Sequence, residues 1–250
     1  MPQLRARKRN TPRHRLAGRT AVITGASRGI GLAFARALAA EGCDLVITGR
    51  KLKPLEKAAK EITKLGIRVL FHVCDVRDPQ AVRNLVTEIR KHFSRVDILI
   101  NNAGLAHPNL PVDKLPAEQW KEVIETNLTG TFLVCQALLP LMPRASTIVN
   151  NLSIAAIHVF PGSSAYNASK HGALGFTRTL REELRPRGMR VIAILPGATD
   201  TEIWNTLWKE APRAKMLPPT TVAEALLNAL LLPANSTVEE ITILPTTGSL

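Results

Sequence analysis

The chain contains a single tyrosine, Tyr166, and a lysine, Lys170, follows it four residues later. Residues four apart in a helix lie on the same face, so the Lys170 ammonium can reach toward the phenol. A free phenol titrates near pH ~10, and a neighbouring cation favours the phenolate and lowers its pKa. Such a pair could exchange a proton with an alcohol or a carbonyl oxygen at neutral pH. The alternative is a contact between two exposed side chains, because such pairs are common on helices.

A glycine-rich segment near the amino end is a second candidate site. Gly25, Gly29 and Gly31 follow a short apolar run at residues 22–23 and precede a longer apolar segment at residues 32–38. This order predicts a strand, a tight turn and a helix. Glycine allows positive φ and close approach of the backbone, and the first amides of a helix attract anions. The segment could therefore bind a pyrophosphate, or it could be a plain tight turn.

Together with shorter motifs in register, these two features resemble the short-chain dehydrogenase/reductase family, over about residues 18–245. Ser153 lies thirteen residues before Tyr166, which is the spacing of that family. The matching motifs are Thr24-Gly25-x-x-x-Gly29-x-Gly31, Asp75-Val76, Asn101-Asn102-Ala103-Gly104, Asn127, Ser153, Tyr166-x-x-x-Lys170 and Pro196-Gly197.

The resemblance implies four catalytic residues: Asn127, Ser153, Tyr166 and Lys170. Tyr166 would be the general acid in reduction and the general base in oxidation, and Ser153 would hydrogen-bond the substrate oxygen. Lys170 would lower the phenol pKa and hold the nicotinamide ribose. Asn127 would bend a long helix and order a water that leads to Lys170. The alternatives are a strand-end hydroxyl for Ser153 and a merely tolerated helical residue for Asn127.

The resemblance also implies a cofactor site. Two residues would frame the adenine, a turn would lie beneath the ribose, and a later segment would close over the nicotinamide carboxamide. The implied cofactor-binding residues are Gly25, Ser27, Arg28, Gly29, Ile30, Gly31, Arg50, Asp75, Val76, Asn102, Ala103, Gly104, Tyr166, Lys170, Pro196, Gly197, Thr199 and Thr201.

The choice of dinucleotide depends on the end of the second predicted strand, which reads Thr48-Gly49-Arg50. No carboxylate stands there to accept a 2′-hydroxyl, as it would in an NAD site. Arg28 and Arg50 could grip a 2′-phosphate with charge-assisted hydrogen bonds, and they match the NADP-preferring pattern of the family. Two exposed arginines at a surface turn are the alternative. We therefore expect NADP(H).

Strands and helices alternate along the sequence, which predicts an α/β fold. The expected architecture is a single domain with a doubly wound parallel sheet (a Rossmann fold) in three αβα layers. Ligands in such sheets bind beyond the carboxyl ends of the strands, where the motifs fall. Predicted strands cover residues 44–48, 68–73, 96–100, 147–152, 190–195 and 240–244, and predicted helices cover residues 52–65, 79–93, 117–139 and 222–231.

The composition is that of an ordinary globular protein, with 250 residues of which 45% are hydrophobic. No stretch approaches the ~18–20 apolar residues that span a bilayer. Cys43, Cys74 and Cys135 lie in apolar segments, which favours buried, reduced thiols and a cytoplasmic location. The six histidines show no metal-binding spacing, so no metal is expected.

The net charge of +13 is concentrated at the amino end, because residues 1–19 hold seven Arg or Lys and no acid. We expect residues 1–16 to form a basic, disordered arm and residues 17–250 to form one oxidoreductase domain. The arm has no aromatic side chains to stack bases and no apolar face to enter a bilayer. Neither a nucleic-acid nor a membrane partner is therefore predicted, and an organelle-targeting segment is the alternative.

The expected function is NADP(H)-dependent hydride transfer between the nicotinamide and a small carbonyl or alcohol substrate. Family members with this glycine loop often reduce 3-oxoacyl groups on acyl carrier protein, but the carboxyl end at residues 238–250 departs from that branch. That reductase is the first alternative, and an NADP-binding sensor or scaffold is the second. The resemblance also implies a homo-oligomer, a dimer or tetramer, built through helices near residues 117–139 and 164–184.

The substrate is expected to contact a segment at residues 201–221 and two loops. Large apolar side chains in the segment could cover an apolar carbonyl compound or pack onto the body, and both interpretations stay open. The side chains concerned are Trp204, Leu207, Trp208, Met216 and Leu217, with Leu105, His107, His158 and Phe160 as candidate pocket walls.

Overall fold

The computed structural model describes residues 14–248, and in this range seven parallel strands form one sheet. Their order across the sheet is β3-β2-β1-β4-β5-β6-β7. The chain moves outward from β1 to β3 and then crosses to β4 on the other side of β1, which opens a crevice at the carboxyl ends of these strands. The strands are β1 (Thr20–Ile23), β2 (Asp44–Gly49), β3 (Val69–Val73), β4 (Ile98–Asn101), β5 (Thr147–Asn151), β6 (Arg190–Pro196) and β7 (Glu240–Ile243).

Helices cover both faces of the sheet. Alternate strand residues point to opposite faces, so that Ile23 packs in one apolar core and its neighbour Val22 in the other. The first core contains α1, α2 and α8, and the second contains α3, α5 and α6. The predicted doubly wound, three-layer fold is confirmed. The helices are α1 (Gly29–Ala40), α2 (Leu52–Thr63), α3 (Pro79–His92), α4 (Ala117–Ile124), α5 (Gly130–Leu138), α6 (Ser164–Leu184), α7 (Trp204–Leu207) and α8 (Pro219–Leu230).

The predicted long helix at residues 117–139 is not continuous. A π-helical turn, Glu125–Thr129, separates α4 from α5, and the Gly130 amide bonds to the Glu125 carbonyl five residues back. The cause is Asn127, whose buried side chain bonds to the backbone of Leu105 on both its oxygen and its nitrogen, at 2.9 Å each. A π turn inserts one extra residue per turn and so re-aims the side chains that follow it.

Residues 14–16, which the sequence analysis assigns to the arm, belong to the body. Leu16 is buried in the first core, and its amide donates to the Glu41 carbonyl at 2.9 Å. Arg15 forms a salt bridge with the Glu41 carboxylate. The predicted boundary of the arm at residue 16 is therefore too late in the chain, because the apolar side chain of Leu16 is buried in the core. The rest of the arm, residues 1–13, lies outside the described residues.

The three cysteines are free and buried, as predicted. Burial raises the thiol pKa to about 12 at Cys43 and Cys135 and to about 11 at Cys74. These thiols are therefore unreactive at neutral pH. Between residues 14 and 248, no helix combines the length and the apolar character needed to cross a membrane. In the same stretch, no three His, Cys, Asp or Glu side chains are grouped so as to hold a metal ion.

Replacing Gly130 with alanine should destabilise the protein, because the new Cβ would lie 2.6 Å from Val76 Cγ2. We expect a loss of about 1–3 kcal/mol in the free energy of unfolding, which is typical of overpacking. The matched control is Gly175→Ala on α6, where a Cβ would meet nothing within 4 Å. That variant should gain about 0.5–1 kcal/mol from helix propensity. Urea denaturation measures both, and equal effects of the same sign would contradict this packing account.

Candidate active site

The glycine-rich turn after β1 packs tightly against the turn after β4. Gly25 and Gly29 adopt positive φ values of 65° and 55°, which glycine reaches at little cost. A Cβ on Gly25 would lie 2.9 Å from Ala103 Cα. Asn102 Nδ2 donates to the carbonyls of Thr24 and Gly25, at 2.9 and 3.0 Å. The two motifs predicted to bind the cofactor therefore hold each other in place at the crevice.

A cavity of about 820 Å³ opens along these turns. Every predicted cofactor-binding residue except Gly31 lines it, as do Ser153, Tyr166 and Lys170. Gly31 has a packing role instead, because a Cβ there would overlap Asn102 Nδ2 and the Gly25 carbonyl. α1 begins at Gly29, so the first turn of this helix faces the cavity with its positive dipole end.

The cavity suits a dinucleotide. Its volume lies in the ~300–1,000 Å³ range of small-molecule sites. Thr48 Oγ1 and Asn151 Oδ1 are buried without a hydrogen-bond partner in the described part of the chain, and both residues line the cavity. Buried polar atoms are normally satisfied, so a ligand with ribose and phosphate groups fits this wall. Sequence reasoning missed both residues, because only their position at strand ends marks them.

Ser153 and Tyr166 both line the cavity. Ser153 follows β5, and its Oγ accepts from the Ala155 amide at 3.1 Å. Tyr166 lies in the first turn of α6 and is half-buried. Burial raises the pKa of the Tyr166 phenol, and the polar Ser153 hydroxyl opposes that rise.

Lys170 is only 6% exposed. Its Nζ lies 5.6 Å from the centroid of the Tyr166 ring and donates to the Asn151 carbonyl at 3.3 Å. Burial lowers the pKa of Lys170 to about 8. The Tyr166-x-x-x-Lys170 spacing predicts that this ammonium lowers the phenol pKa, and for the protein alone that prediction is wrong, because the pKa is raised. The ammonium lies over the phenol ring and donates to the Asn151 carbonyl, and burial of the phenol disfavours the phenolate.

Asn127 does not line the cavity but supports it from behind. Besides its bonds to Leu105, its Nδ2 donates to Ser169 Oγ at 2.9 Å, and Ser169 Oγ donates to the Tyr166 carbonyl at 2.8 Å. Gly104 lies between the Asn127 amide and the Lys170 ammonium, because a Cβ on it would be 3.2 Å from Asn127 Oδ1 and 3.7 Å from Lys170 Nζ. The π turn, the loop after β4 and α6 are thus joined through one amide.

The part of the cavity lined by Arg28, Arg50 and Asp75, where the adenosine is predicted to bind, contains an ion-pair network. Arg77 pairs with Asp75 at 2.6 Å and with Glu122 at 3.2 Å, and Glu122 also pairs with Arg50 at 3.3 Å. The Arg77 guanidinium holds the pKa of the Asp75 carboxyl below its usual range. Sequence reasoning missed Arg77 and Glu122, because the contact between them joins elements that are 45 residues apart.

The segment after β6 both covers the cavity and packs on the body. Trp204, Leu207 and Trp208 line the cavity, whereas Met216 packs with Trp204 in a small apolar cluster. Leu217 forms a bridge to Thr199 instead of lining the cavity. Of the four predicted wall residues, Leu105 and Phe160 line the cavity, and His107 and His158 do not.

Arg213 fastens this covering segment. Its guanidinium donates to Asp200 Oδ1 at 2.9 Å, to the Thr201 carbonyl at 2.5 Å and to Asn205 Oδ1 at 2.9 Å. From the other side, the Trp204 indole donates to the Thr199 carbonyl at 2.9 Å. Thr201 is therefore held at the cavity by contacts on both sides of it.

Comparison with known proteins gives the same assignment as the motifs. The family profile described as short chain dehydrogenase matches residues 19–212. Sulfoacetaldehyde reductase 2 of Chromohalobacter salexigens is 36% identical over 236 residues, which are 90% of this chain and 93% of that protein. The chain belongs to the short-chain dehydrogenase/reductase family. It is therefore an oxidoreductase that acts on CH–OH or C=O groups.

Two solved structures of this family show the same fold. An alcohol dehydrogenase from the archaeon Thermococcus sibiricus, complexed with 5-hydroxy-NADP, has a TM-score of 0.86 and 32% identity, with 93% of this chain and 98% of that chain covered. A 3-ketoacyl-(acyl-carrier-protein) reductase from Brucella melitensis, complexed with NADH, has a TM-score of 0.83 and 29% identity, with 92% and 98% covered.

The burial of Lys170 should make stability depend on pH. The pKa of Lys170 is about 8 in the folded protein, against 10.5 ordinarily. Between about pH 8 and pH 10.5, the side chain therefore loses its proton when the protein folds. Stability is therefore fully present above pH ~10.5 and is lost, by up to roughly 3 kcal/mol, as pH falls toward 8. Lys170→Met should abolish this dependence.

Urea denaturation at pH 7.5 and pH 10 measures the effect as the difference between each variant and the parent protein. Lys53→Met is the control, because Lys53 is exposed on α2. Parallel pH dependences of the parent protein and Lys170→Met would show that Lys170 is not the buried titrating group.

Proposed function

We propose that this protein is an NADP(H)-dependent reductase or dehydrogenase of a small carbonyl or alcohol substrate. The observation that carries the proposal is a single cavity that Ser153, Tyr166 and Lys170 share with the glycine-rich turn. A proton-transfer group and a phosphate-binding turn in one cavity are what hydride transfer to a carbonyl requires.

The residues of the chain would divide the work as follows. When bound, the nicotinamide supplies or accepts the hydride. Ser153 hydrogen-bonds the substrate oxygen and stabilises the negative charge that develops on it. Tyr166 donates its proton to that oxygen in reduction and takes it back in oxidation. Lys170 has three donors and uses one on the Asn151 carbonyl, so the others can hold the ribose hydroxyls.

Two arginines support NADP(H) as the cofactor. Arg28 and Arg50 are exposed at the adenosine end, where both line the cavity. Their guanidiniums suit a 2′-phosphate better than a bare 2′-hydroxyl. The Thermococcus sibiricus enzyme is complexed with an NADP derivative, which also supports this choice.

The lining of the cavity favours an apolar substrate. Its apolar side chains include Leu105, Ile154, Phe160, Trp204 and Trp208. A carbonyl compound with an apolar body would bury its surface against them. Reduction of 3-oxoacyl groups on acyl carrier protein is the second candidate, favoured by the likeness to the Brucella melitensis reductase. Turnover of a 3-oxoacyl thioester, set against simple ketones, separates the two.

We also propose a cytoplasmic homotetramer built through α4, α5 and α6. Phe132 on α5 is 42% exposed and meets Phe176 on α6 edge-on, with ring centroids 6.1 Å apart. An exposed aromatic side chain beside a neighbouring helix suits contact with a second copy. The body of the chain, from residue 14 onward, acts as one catalytic domain in this proposal, without a metal, a nucleic-acid partner or a membrane partner.

Tyr166→Phe should abolish turnover while leaving cofactor binding intact. The substitution removes the proton donor, and such groups contribute about 10²–10⁴-fold to the rate. The dissociation constant for NADPH should change by less than about threefold, because the nucleotide contacts stay. The assay is a screen of aldehydes, ketones and alcohols by NADPH absorbance. Turnover close to the parent rate would remove Tyr166 from the mechanism.

Replacing both Arg28 and Arg50 with alanine should weaken NADPH binding about 10- to 100-fold, since each charge-assisted hydrogen bond contributes substantially. The affinity for NADH should change far less, because NADH has no 2′-phosphate. Titration of nucleotide fluorescence gives both dissociation constants. Arg83→Ala serves as the control, because Arg83 is exposed on α3 and bonds only to Gln80 in the described residues. Equal losses for the two nucleotides would refute the 2′-phosphate assignment.

A further inference from the structure

An acidic side chain stands at the adenosine end of the cavity, on an element that carries no motif. Glu122 lies on α4 and lines the cavity together with Arg28, Arg50 and Lys51. Its carboxylate pairs with Arg50, one of the two arginines assigned to the 2′-phosphate, at 3.3 Å. A carboxylate from another part of the chain thus lies beside Arg50, although none stands at the end of β2.

Glu122 is held independently of Arg50. Arg77 donates to the Glu122 carboxylate at 3.2 Å and is itself fixed by three hydrogen bonds to Asp75, of 2.6 to 3.1 Å. The Arg77 side chain is 30% exposed, against 50% for Arg50, so if Arg50 turns toward a phosphate, Glu122 still has a less exposed partner beside the cavity. Arg50 would then exchange the Glu122 carboxylate for the phosphate, while that carboxylate stays nearby.

We propose that Glu122 limits the preference of this enzyme for NADP(H) over NAD(H), by competing for Arg50 and by repelling the 2′-phosphate. This inference rests on the proposed function. A phosphate monoester carries a charge near −1.5 to −2 at neutral pH, so a neighbouring carboxylate repels it. Arg50 lies 3.3 Å from the Glu122 carboxylate, so a phosphate held by Arg50 would lie within the ~8 Å screening length of that carboxylate at physiological salt. NADH lacks the phosphate and does not experience this repulsion.

The opposite role, in which Glu122 prepares Arg50 for the phosphate, is weaker on physical grounds. The Arg50 and Glu122 side chains are 50% and 43% exposed, and ion pairs this exposed contribute little to holding a side chain in place. Glu122 therefore orients Arg50 only slightly, whereas its full charge opposes the phosphate. Removal of the charge should strengthen NADPH binding.

Glu122→Gln tests the inference, because glutamine keeps the shape of the side chain and removes its charge. We expect NADPH to bind about two- to fivefold more tightly, as the loss of one exposed charge contact implies. NADH binding should stay unchanged, and the gain should shrink in about 0.5 M salt. The control is Glu125→Gln, which removes the same charge from the next turn; Glu125 pairs with Lys121 and does not line the cavity.

The Arg50→Ala variant, measured together with Glu122→Gln, distinguishes a failure of the Glu122 inference from a failure of the NADP(H) assignment. If Arg50→Ala weakens NADPH selectively while Glu122→Gln changes nothing, lowers NADPH affinity or affects both nucleotides alike, the Glu122 inference is wrong and the cofactor assignment stands. If Arg50→Ala and the double arginine variant leave the NADPH preference intact, the cofactor assignment itself fails, and the inference with it.

Discussion

The site depends on a lysine ammonium buried where the central strands end. Burying a charge is costly, and Lys170 is given a single protein carbonyl, that of Asn151, as acceptor in the described residues. Its pKa of about 8 reflects that cost. The cavity therefore favours a ligand that brings further oxygen atoms to the ammonium. The same burial keeps the neighbouring Tyr166 phenol protonated in the free protein.

The rest of the fold holds this costly arrangement in register. Asn151 is the last residue of β5, so the sheet fixes the acceptor of Lys170. Asn127 links the loop after β4 to α6 through Leu105 and Ser169, and it distorts its own helix into a π turn in doing so. Distortions of this kind are common at functional sites, where a side chain must be aimed away from the regular helix.

The sequence predicted the sheet, the helices and the cavity-lining motifs well, because periodicity and glycine positions are local properties. Prediction from the sequence failed where a feature depends on contacts between segments that are far apart in the chain. The π turn needs the Leu105 backbone, and the Glu122–Arg77 contact needs α4 to pack beside the end of β3. Spacing alone also gave the wrong direction for the phenol pKa, since it places Lys170 near Tyr166 without the burial that both share. The arm boundary failed because Leu16 reaches the core.

Tyr166 is the only tyrosine of the chain, so the ultraviolet absorbance of phenolate reports on this one side chain. A titration of the free protein and of the protein saturated with oxidised cofactor therefore tests the central claim directly. The account predicts a phenol pKa above the ordinary ~10 without cofactor and a clear fall when the positive nicotinamide is bound. A low pKa in the free protein, or no fall on saturation, would contradict it.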